Sequence, residues 1–566
     1  MILKKISPLL AIFFVVILAV FIANTFHEEY PDEYDSIVGG LYITEGKLPY
    51  RDWFQHHQPL AYLTAAAILP ISGRSFVHFR IFWALALFLL HLFVYLLLRR
   101  HFRQKDTRFY LVYLLLVAVG STYFWGQMLL ADTLAAYLLI PAYLFLLVSS
   151  FHSYRFDLKK LAIVSIFTFL VWLTSASFSF LALGFYLYAL YLYLTTSVTK
   201  TDLLKNIIRA ALVLAAPYFL LAVYLLLTAS AKDWFFANVT YNQYYIYNYP
   251  RIEGAPINPI RYAVSIAYNF FGNFFPLLTG VSNFDLTHPL NLTLALSGVF
   301  MIIAAVIKQK FILALFLVYA LIYANPRSNP FGIHETDYQA AVYILISLVN
   351  GVFALYALKE LLDTKKTAVS AKFISAVLLL TLGVYWFFSS QSLFLSFSQK
   401  VYSKYMGQSP LVYDWPEVTP LVNQIVRPDE YAWIGPFEFK ELFYLNAKTP
   451  SRYHWFLDHA AKIDKIKSEI IGDFNANRPL VIVFKRHFAP WGGDAASYNY
   501  FFTDFLDRNY FRIFELNQDL DSYQYQWQIS NPRNFDIDGD FNFDKNQQQE
   551  ILDRLVAANL IKQVPK

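Results

Sequence analysis

Uncharged apolar stretches, each long enough to cross roughly 30 Å of hydrocarbon at about 20 residues per crossing, recur along this chain as far as Ser398. Inside a bilayer every backbone N–H and C=O must find a partner within the chain, so stretches of this kind fold as helices. Composition agrees: 57% of the 566 residues are hydrophobic and only 15% are charged, where a soluble protein carries roughly a quarter charged. After Ser398 the long apolar runs stop and Asp, Asn, Gln, Arg and Pro return at ordinary density. The expected organisation is therefore a membrane body over residues 1–398 and a C-terminal soluble domain over residues 399–566.

The first apolar run, Ile6 to Asn24, follows Lys4 and Lys5 as a signal peptide would, but it lacks a small-residue cleavage site and reads as a retained helix. The chain has no cysteine, which excludes disulfides, thiolate zinc sites and a cysteine nucleophile. Its net charge of +6 reflects basic loops without an aromatic-basic patch, so no nucleic-acid partner is expected.

Short basic loops stay cytoplasmic, and this fixes an expected orientation. Clusters fall at Lys4-Lys5, Arg99 to Lys105, Arg155 with Lys159-Lys160, Lys200 with Lys205, Lys308 to Lys310, and Lys359 with Lys365-Lys366. The hairpins between them, at residues 26–75, at Asp132, at Thr174 to Ser177, at 231–289 and at 325–338, are acidic, neutral or long and should face outward. Counting crossings near 6–25, 76–98, 109–130, 133–151, 161–174, 178–196, 208–230, 290–307, 311–324, 339–358 and 373–397 gives about eleven. An odd number places the N-terminus in the cytoplasm and the tail outside it, in a multi-pass protein of the plasma membrane. Tyr262 to Phe284 is long enough to span but is expected to be interfacial or re-entrant, because a crossing there would reverse the charge pattern and because Gly272, Pro276 and Gly280 interrupt it. In the tail, Leu480 to Phe484 reads as a buried strand and Asn546 to Lys562 has helical spacing, which suggests an α/β domain.

The chemistry concentrates in the first outer segment, His27 to Asp35, which holds five carboxylates in nine residues. Carboxylates crowded at a membrane edge resist ionising together, one route to a general base or a metal ligand. A solvated acidic loop would satisfy the same outward-facing rule. The segment continues through Gly46-Lys47-Leu48-Pro49-Tyr50-Arg51-Asp52 and Gln55-His56-His57-Gln58-Pro59-Leu60 towards a helix that carries Arg80 in its first turns.

This arrangement resembles the GT-C class of membrane glycosyltransferases, in particular the bacterial relatives of protein O-mannosyltransferases and aminoarabinose transferases (the RgtA/B/C/D-like group). Asp32-Glu33 matches the acidic pair of that class, Gly46 to Asp52 its Gly-x-x-Pro-Tyr-Arg-Asp segment, and Pro59-Leu60 the lead into its second membrane helix. Leu173 to Ala176, Asn325 to His334, and the tail segments Val422 to Glu430, Trp433 to Gly435 and Arg478 to Val483 are similar to later parts of the same proteins. The chain departs from aminoarabinose transferases at Gln58, where they have Lys, and near Thr174, which lacks their basic residue.

The resemblance implies a GT-C-like polytopic α-helical fold with an extracytoplasmic α/β domain. It implies transfer of a sugar from a polyprenyl-phosphate donor to a lipid, glycan or protein acceptor, with inversion. Asp32 would be the base and Glu33 its neighbour, while His56, His57, Arg80, Arg327 and His334 would contact the phosphate; packing or interfacial roles compete for each of these basic residues. No metal or other cofactor is required by this scheme. A membrane transporter and an envelope polysaccharide ligase or polymerase are the alternatives, set against the lack of paired repeats and the early position of the acidic loop. Asp132 suits a turn or helix cap, Trp234 to Tyr249 an aromatic belt, and Asp536 to Asp544 an acidic turn, since its spacing departs from a calcium loop at Phe541 and Gln547.

Overall fold

The computed structural model describes residues 7–27, 29–197, 202–242, 259–279, 288–326, 337–362, 376–377, 379–384, 387, 416–456, 462–488, 494–519, 523–528 and 541–565. The chain divides into two compact units, each gathered from three stretches: Met1–Glu29, His57–Leu227 and Pro256–Tyr413; and Tyr30–His56, Thr228–Ala255 and Asp414–Lys566.

The first unit is helical and its composition is that of a polytopic membrane protein. Six of its described helices are long and apolar enough to cross a bilayer: Phe76–His101, Gln104–Phe124, Ala131–Phe151, Ala176–Thr196, Leu203–Leu227 and Tyr338–Leu358. Shorter apolar helices run over Pro8–Asn24, Leu60–Ser72, Leu292–Ile307 and Phe311–Tyr323. Ala131–Phe151 and Tyr338–Leu358 are 94% and 89% buried over their most apolar windows, whereas Leu203–Leu227 is 11% buried. The first two are therefore the unit's core; the last turns Leu212, Phe219, Leu220 and Leu226 outward, a surface that suits lipid and not water.

Local chemistry sets the helix ends. Ser7, Ser75 and Asp157 each accept a hydrogen bond from a first-turn N–H of the helix that follows. Arg99, Arg100 and His101 close Phe76–His101 at its negative pole. Polar side chains tie distant helices inside the unit: Tyr356 Oη donates to Asp106 Oδ1 at 2.7 Å and Tyr154 Oη to the other oxygen. Tyr143 Oη donates to Asn350 Oδ1, also in the buried core.

Several boundaries differ from the sequence expectation. The stretch expected to be helical to residue 130 is α-helical only over Phe109–Gly120, continues as a tight turn over Ser121–Phe124, and leaves it at Trp125 with φ 54°. Gly126 explains the fold-back: a Cβ there would lie 2.3 Å from Tyr137 Oη, the hydroxyl that donates to the Gly126 carbonyl. Pro259–Thr279 is a continuous helix through Gly272 and Pro276. Proline at 276 removes only the one N–H that would reach the carbonyl of residue 272, and the helix continues past it. Most of the expected crossing at 373–397 lies outside the described residues.

The second unit carries the strands. β1 (Ala432–Gly435) runs parallel to β2 (Val481–Phe484). β5 (Phe541–Asp544) pairs antiparallel with β2 and with β3 (Tyr510–Phe511), giving the order β1-β2-β5-β3. β4 (Tyr523–Trp527) and β6 (Ile561–Pro565) form a separate antiparallel pair. Both faces of β1 and β2 are buried, which explains their unbroken apolar sequence. Trp433 on β1 stacks on Phe456 at 4.5 Å and meets Phe502 and Phe474 edge-on. Helix Asp464–Ala476 supplies Ile466, Ile470 and Phe474 to this core at helical spacing. Arg478 Nε donates to Asp544 Oδ1 at 2.7 Å, pinning the start of β2 to the end of β5. The expected strand is β2, and the expected last helix is Gln548–Ala557.

Candidate functional site

From Pro31 onward the acidic segment is helical and not a loop. Pro31–Thr44 begins with Pro at its first position and Asp32 and Glu33 in its first turn. Proline has no N–H to lose there, and carboxylates stabilise the positive end of a helix, so Tyr30-Pro31-Asp32-Glu33 is itself a helix-start signal. The two acids have different environments: Glu33 is fully buried, while Asp32 is partly exposed. The helix turns Tyr34, Ile37, Val38 and Tyr42 inward and packs on helix Phe439–Tyr444 of the tail.

One turn beyond Asp32, Asp35 takes part in a small polar cluster. Gln55 Nε2 lies 3.1 Å from each oxygen of its carboxylate, and His454 Nε2 lies 3.7 Å from Oδ1. Neither ring nitrogen of His454 makes a hydrogen bond among the described residues, although the side chain is only 1% exposed. Its ring is enclosed by Tyr42, Phe439 and Trp53, with centroids 5.4, 5.6 and 6.0 Å away.

Arg452 joins the three stretches of this unit. Its Nη1 donates to Asp233 Oδ1 at 3.1 Å and to the Tyr50 carbonyl at 3.4 Å, and its Nη2 donates to Glu469 Oε2 at 2.8 Å. The backbone adds a link, from Phe54 N–H to the Arg452 carbonyl at 2.8 Å. A planar guanidinium can serve several acceptors at once in fixed geometry, which the compact ammonium of lysine cannot.

The basic residues expected to contact phosphate are placed variously. Arg80 is fully buried in the first unit, where Nη1 donates to the Thr25 and His27 carbonyls at 3.1 and 2.7 Å and the guanidinium stands 4.5 Å over Phe76. These contacts hold the chain as it leaves helix Pro8–Asn24. His56 is half-buried in the second unit, its ring 5.4 Å from Trp455 and 5.6 Å from Tyr241, and its carbonyl accepts from Asn242. His57 is half-buried in the first unit. Arg327 and His334 lie outside the described residues, as does the acidic run Asp536 to Asp540. Asp132 is buried in the first turn of Ala131–Phe151, where the helix dipole favours it. Among the described residues no group of three or more His, Asp or Glu side chains is placed to hold a metal ion.

The chain matches no protein-family model and no curated protein.

Sequence reasoning missed Asp35, Gln55, Arg452 and His454. Asp35 was visible as the position one turn after Asp32, had the segment been read as a helix. Arg452 and His454 sit in Ser451-Arg452-Tyr453-His454-Trp455, a charged and aromatic run inside the tail that carried no spacing rule to single it out.

Proposed function

We propose that the chain is a GT-C-type membrane glycosyltransferase, moving a sugar from a polyprenyl-phosphate donor to an envelope acceptor on the extracytoplasmic side of the plasma membrane. The observation that carries this reading is the contrast at the start of helix Pro31–Thr44: Asp32 is partly open to solvent in the first turn, while Glu33 beside it is buried. A base must meet its substrate, and of the two Asp32 is the residue that is not buried. The order of short motifs around it supports the same reading.

Sugar transfer outside the cytoplasm has no nucleotide supply, which accounts for a donor carried on lipid and for a large apolar body. About eleven crossings and the distribution of basic loops would put the tail and the Asp32 helix on the same, outer side. In the reaction the acceptor oxygen attacks the anomeric carbon as the bond from that carbon to the phosphate oxygen breaks. The electron pair leaves with the phosphate and Asp32 takes the acceptor's proton. A single displacement inverts the anomeric centre. His56, His57, Arg327 and His334 are the proposed donors to the departing phosphate; the contacts of Arg80 fit a positioning role better.

Transfer of radiolabelled sugar from defined polyprenyl-phosphate donors into a membrane extract, wild type against Asp32→Asn, tests the reading. Loss of labelled product in the variant supports it. Equal labelling by both proteins would remove Asp32 from the mechanism, and no labelling from any donor by correctly folded protein would remove the activity.

A further inference from the structure

The second unit contains a polar cavity of about 270 Å³ lined by Tyr42 and Trp53 and by side chains from the 47–52 turn and the 449–477 segment. We propose that this cavity is a binding site for a single neutral sugar ring.

Size sets the first limit. Drug-sized ligands fill cavities of roughly 300–1,000 Å³, so this space suits one ring and little more. Charge sets the second. Lys47 and Arg452 face Asp52 and Asp473 around the same space, two positive groups against two negative. Such a lining offers no net attraction to an anion. Arg452 is also engaged by Asp233 and Glu469, and the Asp473 carboxylate would repel a phosphate oxygen.

A sugar hydroxyl, by contrast, donates and accepts at once, and vicinal hydroxyls are satisfied by donors and acceptors in alternation. That is the lining found. Asp473 accepts from Ser451 Oγ through Oδ2 at 2.7 Å, which fixes the carboxylate and leaves Oδ1 as an acceptor. Asn477 donates to the Pro450 carbonyl at 2.8 Å, which fixes its amide and leaves its oxygen. Lys47 brings an ammonium 4.3 Å over the Tyr42 ring, where it pairs with Glu45 at 3.1 Å and, with three N–H donors, can serve a hydroxyl as well. Each of these side chains is held by the fold, so little ordering is needed on binding.

Assigning this ring to the acceptor, and hence preferring a glycan acceptor to a protein, rests on the transferase reading. The binding itself does not. The full chain in nanodiscs is titrated with methyl glycosides of neutral hexoses and of N-acetylhexosamines, followed by saturation-transfer NMR, with inorganic phosphate and glycine as counter-probes. At least one glycoside should bind in the millimolar range, with Lys47→Ala and Asp473→Asn each weakening it tenfold or more. Asp473→Asn keeps the acceptor for Ser451 and Lys47→Ala removes a half-exposed side chain, so both variants should fold as wild type. Absence of glycoside binding, binding indifferent to both substitutions, or binding of phosphate or glycine in place of glycosides would each overturn the proposal. Glycoside binding without any sugar transfer would uphold the site and reject the catalytic reading.

Discussion

His454 stands with its Nε2 3.7 Å from Asp35 Oδ1, joining a histidine of the tail to a carboxylate of the helix Pro31–Thr44. The pair lies under aromatic rings, where water screens little. Removing either side chain should therefore change what the other contributes. In a double-mutant cycle of Asp35→Asn and His454→Phe, followed by thermal unfolding in detergent, a coupling of about 1 kcal/mol is expected, within the range measured for contacting residues. Additive effects would show that the two merely pack side by side.

Asp32 and Glu33 should separate by phenotype. Asp32→Asn is expected to unfold within about 0.5 kcal/mol of wild type, as partly exposed positions do, while sugar transfer falls on the order of 10²- to 10⁴-fold. Glu33→Ala leaves a void and strips polar contacts from a fully buried position, and should destabilise the protein by about 2 to 4 kcal/mol. Melting curves and transfer rates measured on the same preparations distinguish the two, and a reversed pattern would exchange their roles.

Arg452→Ala should loosen the attachment of residues 50–54 and of Asp233 to the tail by about 2 kcal/mol, since three partly buried acceptors lose a charged donor. Arg452→Lys should recover only part of this, because an ammonium cannot hold Asp233 and Glu469 in the same plane. Limited proteolysis around residues 45–56 provides the readout. Wild-type protection in the alanine variant would contradict the role assigned to this arginine.

Acid sensitivity should include a contribution from Glu430. Arg554 donates to both its carboxylate oxygens, at 2.7 and 2.8 Å, and this hydrogen bonding holds the Glu430 carboxyl below its ordinary value of 4.5. A carboxylate depressed in the folded state stabilises it fully above the unfolded value and loses that contribution as pH falls through the folded one. Glu430→Gln should thus be about 2 kcal/mol less stable than wild type at pH 7, with the gap closing below about pH 4. A gap that stays constant down to acid pH would assign the loss to packing.

Much of this molecule is legible without coordinates, and the reasons are physical. A 20-residue apolar run has one economical fold in a bilayer, and the apolar stretch of β2 between Pro479 and Lys485 has the length of a buried strand. The failures are equally specific. Reading 27–35 as a loop weighed its charge over its Pro31 start, although acids in a first turn favour a helix. The break expected at Gly272 and Pro276 gave too much weight to the loss of one backbone hydrogen bond. Within the candidate site, Asp32 and Glu33 announce themselves by crowding, but Arg452 and His454 acquire their significance from Tyr50, Asp233 and Asp35, each more than two hundred residues away, and no local pattern encodes that.

The three-way bonding of Arg452 also bears on how the protein is made. Synthesis releases Tyr50 first, Asp233 much later and Glu469 last, so the guanidinium that joins them emerges after two of its acceptors have been waiting on the ribosome's timetable. A chain that stops short of residue 439 has neither the Phe439–Tyr444 cover of the acidic helix nor His454. A nascent or prematurely stopped chain would thus hold its membrane helices while its Asp32 region stayed unfinished.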